Sequence, residues 1–288
     1  MNIDHFGMDT ITLAGPLEAK LGAIHAAGFT QVMLNTGDIV GHPGGAQAAM
    51  DAVRASGLRC TGFQVLRDFE GLSGHLHAYK VDVAKSMLDL CSGLDAPLLL
   101  ACSSTSAHAA GERDALVKDL RKLAMLALPL GIRVAYEALS WGRHVNLLPQ
   151  AWEIVQEADR SNLGLCIDSY HALANHREAV AMDDIQPDKV FLVQLSDFLW
   201  QETRTPEDRI ETARHYRVFP GEGVHGDEVM AMVRALDARG YRGDYSFEVF
   251  NDDYRNLPLP VVAGRARQSV KWITMQVSRQ SLPVRRRA

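Results

Sequence analysis

The chain has 288 residues, a usual length for one α/β barrel of about 250 residues. It is 47% hydrophobic and 23% charged, the balance expected of a soluble protein with a large core. A net charge of −5 argues against nucleic acid as the main partner, since a phosphate-binding surface needs a basic excess. The one basic cluster, Arg285-Arg286-Arg287, reads as solvated tail. No apolar run approaches the length of a bilayer span, so no membrane partner is expected. The first residues show no basic segment followed by an apolar stretch, and the expected compartment is the cytosol. The four cysteines are widely spaced without a CxxC pair and read as buried thiols.

In chain order, strand-like runs occur at 3–8, 31–35, 59–66, 97–102, 132–138, 164–168, 190–195 and 245–250. Most are continuously apolar, the pattern of strands covered on both faces in a parallel sheet. Helical spacing lies between them. Tyr79, Val83, Met87, Leu90 and Leu94 form one stripe; Leu116, Leu120, Leu123, Ala127 and Leu130 form a second. Val229, Val233 and Leu236 form a third, with Gly240 as its C-terminal cap. Pro16 and Pro149 stand at helix starts, where a missing N–H does little harm. Eight strands alternating with helices predict a (β/α)8 TIM barrel, one domain across 1–288. The segment 198–225 is longer and more polar than other connections and is expected to be an extended loop over the active face. The helix after Asp168 is the least regular, because 172–189 is polar and aperiodic.

Catalytic groups in such barrels gather at the C-terminal ends of the strands. Four successive strands here end in a group able to bind metal: Tyr136-Glu137, Ile167-Asp168, Val193-Gln194 and Phe247-Glu248. Neighbouring strands lie about 4.8 Å apart, so these side chains converge in one mouth. Three carboxylates that close repel one another unless a cation sits among them. Oxygen donors point to a divalent ion, Mg2+ or Mn2+ first, with Zn2+ or Co2+ next. A single carboxylate at a strand end is more often a solvated or ion-paired group; the joint pattern carries the argument.

His171, three residues past Asp168, suits proton transfer near neutral pH and is the candidate acid/base. Arg67, after the third strand, and Arg217, in Arg214-His215-Tyr216-Arg217, are candidate clamps for a substrate carboxylate; surface salt bridges are the plain alternative. Ser103-Ser104-Thr105-Ser106 reads as loop, its hydroxyls within reach of a polyol, and Gly41-His42-Pro43-Gly44-Gly45 reads as a turn.

Several runs are similar to bacterial 3-dehydroshikimate dehydratases of the xylose-isomerase-like superfamily. They are Tyr136-Glu137-Ala138-Leu139-Ser140-Trp141-Gly142-Arg143-His144, Gly164 to His171, Val193-Gln194-Leu195-Ser196-Asp197, Phe219-Pro220-Gly221-Glu222-Gly223 and Ser246 to Asp252. The resemblance is dense from about 133 to 252 and thin over the first hundred residues. It implies Glu137, Asp168, Gln194 and Glu248 as metal ligands, with catalysis at His171, Glu137 and Glu248. Arg67 and Arg217 follow as substrate contacts. The implied reaction is dehydration of 3-dehydroshikimate to protocatechuate through a metal-stabilised enolate, on a small polyol or keto-acid substrate. Glutamine as third ligand resembles the dehydratase branches, whereas ketose epimerases usually carry histidine. Leu139 stands where some members have histidine, and many bacterial members continue into a dioxygenase-like domain. Barrels of this group commonly assemble as dimers or tetramers. The rival readings are a sugar or inosose isomerase, epimerase or dehydratase on the same metal, a zinc-cluster endonuclease, and a non-catalytic barrel. The endonuclease would require histidine ligands and a basic groove.

Overall fold

In the computed structural model, which describes residues 2–175, 182 and 184–280, eight parallel strands close into a barrel. The strands in chain order are β1 (Phe6–Asp9), β2 (Gln31–Asn35), β3 (Arg59–Leu66), β4 (Leu98–Cys102), β5 (Arg133–Glu137), β6 (Leu163–Asp168), β7 (Val190–Leu195), β8 (Asp197–Phe198), β9 (Arg217–Val218) and β10 (Asp244–Phe247). The ring runs β1, β10, β7, β6, β5, β4, β3, β2, all neighbours parallel, so every strand of it ends on the same face. Strands β8 and β9 stand apart as an antiparallel pair with Phe198 opposite Arg217.

The helices are α1 (Leu17–Ala26), α2 (Thr36–Val40), α3 (Gly45–Ala55), α4 (Gly74–Gly93), α5 (Arg113–Ala127), α6 (Leu148–Ala158), α7 (Ser169–Leu173), α8 (Pro206–His215), α9 (Gly226–Ala238), α10 (Asp252–Arg255) and α11 (Leu259–Gln280). Pro16 caps α1, Pro149 lies in the first turn of α6, and Gly240 follows α9 at φ +91°, a left-handed conformation that costs glycine little. Gly131, at φ +69°, turns the chain from the end of the α5 segment into β5 in the same way. No described helix is long and apolar enough to cross a membrane.

The core has three parts among the described residues. A large cluster fills the space between barrel and helices, Met33, Leu98, Leu100, Ala135, Cys166, Phe191 and Leu192 pack together as a separate group, and Tyr170, Ala174, Phe198 and Ala213 form a small third one. Burying side chains on both faces explains why the strands read as continuous apolar runs. All four cysteines are free and buried, as their spacing implied.

Three expectations need correction. Of the stripe read for α4, Met87 and Leu94 are buried and Val83 and Leu90 pack partly against the core beside Val81, Ala84, Leu88 and Cys91, but Tyr79 is 63% exposed. A weakly amphipathic helix leaves two faces nearly equivalent by sequence, and packing chooses. Leu130 is likewise outside the core, because it belongs to a 3-10 turn beyond the end of α5. The 198–225 segment is folded rather than loop; it holds β8, α8 and β9, with Thr205 capping α8 through the Asp208 N–H. The irregular stretch after Asp168 begins as the short helix α7 and ends in a 3-10 turn at Pro187–Lys189; residues 176–181 and 183 lie outside the described residues, as do Arg285 to Arg287.

Candidate active site

Barrel closure places six polar side chains at the mouth. Asp9 ends β1, Glu137 ends β5, Asp168 ends β6, and Glu248 directly follows β10; Gln64 and Gln194 are carried by β3 and β7. Asp168 pairs in register with Gln194, and Gln194 with Ser246. All six groups are buried.

Arg217 reaches into this acidic floor from β9. Its Nη1 donates to Asp168 Oδ2 at 2.7 Å and to Glu248 Oε2 at 3.0 Å, while its Nε donates to the Ala213 carbonyl at 3.0 Å. The guanidinium lies over the Tyr170 ring, 4.5 Å from its centroid. Asp168 Oδ1 accepts the Tyr170 N–H at 2.7 Å, so one carboxylate caps α7 and holds Arg217 together. Cys102 Sγ donates to Glu137 Oε2 at 3.0 Å, and Glu137 Oε1 is buried without any hydrogen-bond partner among the described residues.

His171 is fixed from both sides. Its Nδ1 lies 3.1 Å from the Ser140 N and 3.1 Å from Ser140 Oγ, and Trp141 meets its ring edge-on at 4.9 Å. Its Nε2 lies 3.3 Å from Arg217 Nη2 and 3.8 Å from Asp168 Oδ2. Ser140 thus offers Nδ1 either a donor, its N–H, or an acceptor, its hydroxyl oxygen, while Arg217 Nη2 can only donate to Nε2, which favours the neutral tautomer with its hydrogen on Nδ1.

Burial dominates the electrostatics. It raises Glu137 to about 8, helped by the charges of Asp168 and Glu248. It raises Glu248 to about 7, with Arg217 pulling the other way. Asp9 is raised well above the usual carboxylate range by burial and by Glu248. Burial would also raise Asp168, but Arg217 outweighs it and holds that carboxyl below its ordinary value. Burial lowers His171 to about 3, assisted by the positive charges of Arg217 and Arg67, so the ring is neutral at physiological pH. Three acids that resist ionising together, beside one that ionises easily, describe a site short of positive charge.

A divalent cation fits that deficit. Glu137, Asp168 and His171 each bring a donor atom within 4.8 Å of the others, and Glu137 Oε1 has no donor to accept from among the described residues. Glu248 is joined to this group through Arg217. Gln194 stands beside Asp168, with Oε1 accepting only a weak thiol hydrogen bond from Cys166 Sγ at 3.2 Å. Carboxylate and amide oxygens with one imidazole nitrogen suit hard to borderline ions.

Above the floor lies a cavity of about 380 Å³. Its wall includes Ile11, Leu139, Trp141 and Phe250, and its rim carries Arg67, Arg214 and Arg255. None of these three guanidinium groups has a hydrogen bond or ion pair with a described residue. Arg67 is where the sequence placed it, whereas Arg217, also facing the cavity, is committed to Asp168 and Glu248. The serine run after β4 is structural: Ser103 Oγ accepts the Leu139 N–H, and Ser104 Oγ donates to Asp68. Residues 41–44 form the turn between α2 and α3, as read, and Gly45 opens α3. Sequence reasoning missed Arg214, Arg255, Asp9 and Gln64. Asp9 was open to discovery, since it ends a barrel strand as Glu137 and Asp168 do; the others had no local signal.

Residues 21–275 match the model of the xylose isomerase-like TIM barrel family. The chain is 39% identical over 249 residues to a 3-dehydroshikimate dehydratase of Pseudomonas aeruginosa, covering 86% of this chain and 38% of the relative. The chain therefore spans about two fifths of the length of that curated relative. It is 27% identical over 205 residues to an inosose isomerase of Halalkalibacterium halodurans, covering 67% and 66% of the two chains. Among solved structures, a xylose isomerase-like TIM barrel/4-hydroxyphenylpyruvate dioxygenase fusion protein superposes at a TM-score of 0.88 and 34% identity, over 98% of this chain and 45% of that one. With the barrel, its acidic mouth and these likenesses in agreement, the chain belongs to the xylose isomerase-like TIM barrel family.

Proposed function

We propose that the chain is a divalent-metal-dependent lyase that dehydrates 3-dehydroshikimate to protocatechuate in the cytosol. The observation that carries this reading is the mouth's division of charge. An acidic floor lies under a partly apolar wall and a rim of three arginines, Arg67, Arg214 and Arg255, unpaired among the described residues. A neutral polyol gives such a rim nothing to neutralise. A cyclic keto acid presents a carboxylate to the rim and its carbonyl and hydroxyls to the floor. The 39% identity to a dehydratase of that name supports the same choice.

Glu137, Asp168, Gln194 and Glu248 would hold the ion, Mg2+ or Mn2+ first. When bound, it supplies the positive charge that stabilises an enolate oxygen. The rest follows from the chain's own residues. Arg67 orients the substrate by its carboxylate, a charge-assisted contact worth about 1.5–3 kcal/mol. His171 moves the proton at Nε2. With hydrogen on Nδ1 donated to Ser140 Oγ, the Nε2 lone pair, which Arg217 Nη2 faces at 3.3 Å, takes the proton next to the ketone. The imidazolium so formed, its Nδ1–H still donated to Ser140 Oγ, returns the proton from Nε2 to the departing β-hydroxyl and is restored to the neutral ring. Water leaves, and tautomerisation of the remaining ketone yields the aromatic ring, which makes the overall reaction downhill.

The test is to incubate metal-loaded protein with 3-dehydroshikimate and follow catechol absorbance. Absence of turnover with Mg2+, Mn2+, Co2+ and Zn2+ alike defeats the assignment. Running inososes and ketoses in deuterated water separates the isomerase alternative, which returns solvent deuterium to carbon without loss of water.

A further inference from the structure

At the mouth, Asp9, Gln64 and Gln194 form a closed hydrogen-bonded ring contributed by three barrel strands. Gln64 Nε2 donates to Asp9 Oδ1 at 2.7 Å, Gln194 Nε2 donates to Asp9 Oδ2 at 3.0 Å, and Gln194 Nε2 also donates to Gln64 Oε1 at 3.2 Å. Ser246 Oγ lies 3.4 Å from Asp9 Oδ2. Asp9 and Gln194 are fully buried and Gln64 nearly so, so water does not substitute for any member of the ring.

We infer that Asp9 is a positioning residue that fixes which end of the Gln194 amide faces the cation site. It deepens the metal reading proposed above and rests on Gln194 as a ligand. A glutamine amide is nearly symmetric in shape, with an oxygen at one end that binds a cation and an NH2 at the other that repels one. Packing alone does not distinguish the ends; neighbouring donors and acceptors do. Asp9 offers both its oxygens as acceptors to amide N–H groups, Gln64 presents Oε1 as a second acceptor, and Cys166 Sγ donates from the opposite side to Oε1. Rotating the Gln194 amide end for end would set its oxygen against the acceptors Asp9 and Gln64, and its NH2 against the thiol hydrogen and the ion. Partners that orient a metal ligand typically change affinity by about 10–100-fold when removed.

The orientation argument predicts a reversal of sign. In Asp9→Asn the side chain presents an NH2 as well as an oxygen, so the Gln194 amide loses its preference. In Gln194→Glu the carboxylate has two equivalent oxygens, needs no orienting, and is better served by a donor at position 9 than by Asp9. The experiment measures Mn2+ affinity by isothermal titration for the wild type, Asp9→Asn, Gln194→Glu and the double variant, with circular dichroism to confirm folding. Asp9→Asn is expected to weaken binding about 10–100-fold beside the native Gln194 and to strengthen it in the Gln194→Glu background. The same sign in both backgrounds, or no change beside the native glutamine, overturns the inference. If Asp9→Asn alone fails to fold, the comparison of Gln194→Glu with the double variant decides: no strengthening overturns it. Failure of the metal reading itself shows earlier and differently, as a wild type that takes up none of Mn2+, Co2+, Zn2+ and Mg2+.

Discussion

Lowering the pH from about 8 to about 6 makes protons compete with a divalent ion for Glu137 and Glu248. Burial raises the first to about 8 and the second to about 7, so in the metal-free protein both are largely protonated at the lower pH. A ligand must lose its proton to bind, and the two losses together cost roughly 3 log units of apparent affinity near pH 6 against roughly 0.3 near pH 8. Because the two carboxyls interact, the expected change is given to an order of magnitude, a weakening of about 100-fold or more. The assay is titration with Mn2+ at several pH values, in two buffers of different ionisation enthalpy so that proton release is counted directly. Affinity constant to within about 3-fold across the range, with no protons released on binding, would refute the electrostatic account of the mouth. The sign for stability is opposite. Carboxyls whose folded pKa is raised stabilise the metal-free fold at low pH, and that contribution is lost as pH rises from about 4.5 through about 8. Asp168, held low by Arg217, works against this trend, its contribution being lost as pH falls.

Replacing Arg67 with Met removes the free guanidinium from the rim and should raise KM for 3-dehydroshikimate roughly 10–150-fold with kcat little changed; an unchanged KM places the carboxylate elsewhere. His171→Ala should lower kcat by about 100-fold or more while Mn2+ affinity stays near wild type, and a parallel loss of metal would make the histidine a ligand instead. Arg217→Met leaves Asp168 and Glu248 buried without their cation, and metal-free protein should lose about 3–5 kcal/mol, read as a lower Tm by scanning calorimetry. Added Mn2+ should recover part of that loss, and an unshifted Tm contradicts the pairing. Outside the site, Glu70 is buried, its Oε2 has no partner among the described residues, and burial raises it to about 7, so its stabilising contribution fades as pH rises through neutrality. Glu70→Gln keeps an acceptor for Tyr136 OH and Ser104 N–H and should gain about 1–3 kcal/mol near pH 8 but little near pH 5, measured by urea unfolding. An equal effect at both pH values rules the titration out.

Local chain physics determined the barrel. Runs buried on both faces, helical spacing between them, and capping prolines and glycines act over a few residues, so Gln31–Asn35, Arg59–Leu66 and Val190–Leu195 were read with the boundaries they have. Strand ends in a parallel barrel share one face, which is why Glu137, Asp168, Gln194 and Glu248 were legible before any coordinates. Tertiary structure decided what those groups meet. The bond from Gln194 to Asp9 spans 185 residues, and the pairing of Arg217 with Asp168 depends on a folded β8–α8–β9 excursion that reads by composition as loop. Tyr79, read into the core stripe, stands exposed for the same reason: the apolar residues of α4 are spread around the helix, and only the neighbouring helix and barrel choose its inner face. Periodicity reports the angle between successive side chains, whereas convergence across the mouth is set by ring closure, which brings together residues that no local pattern relates.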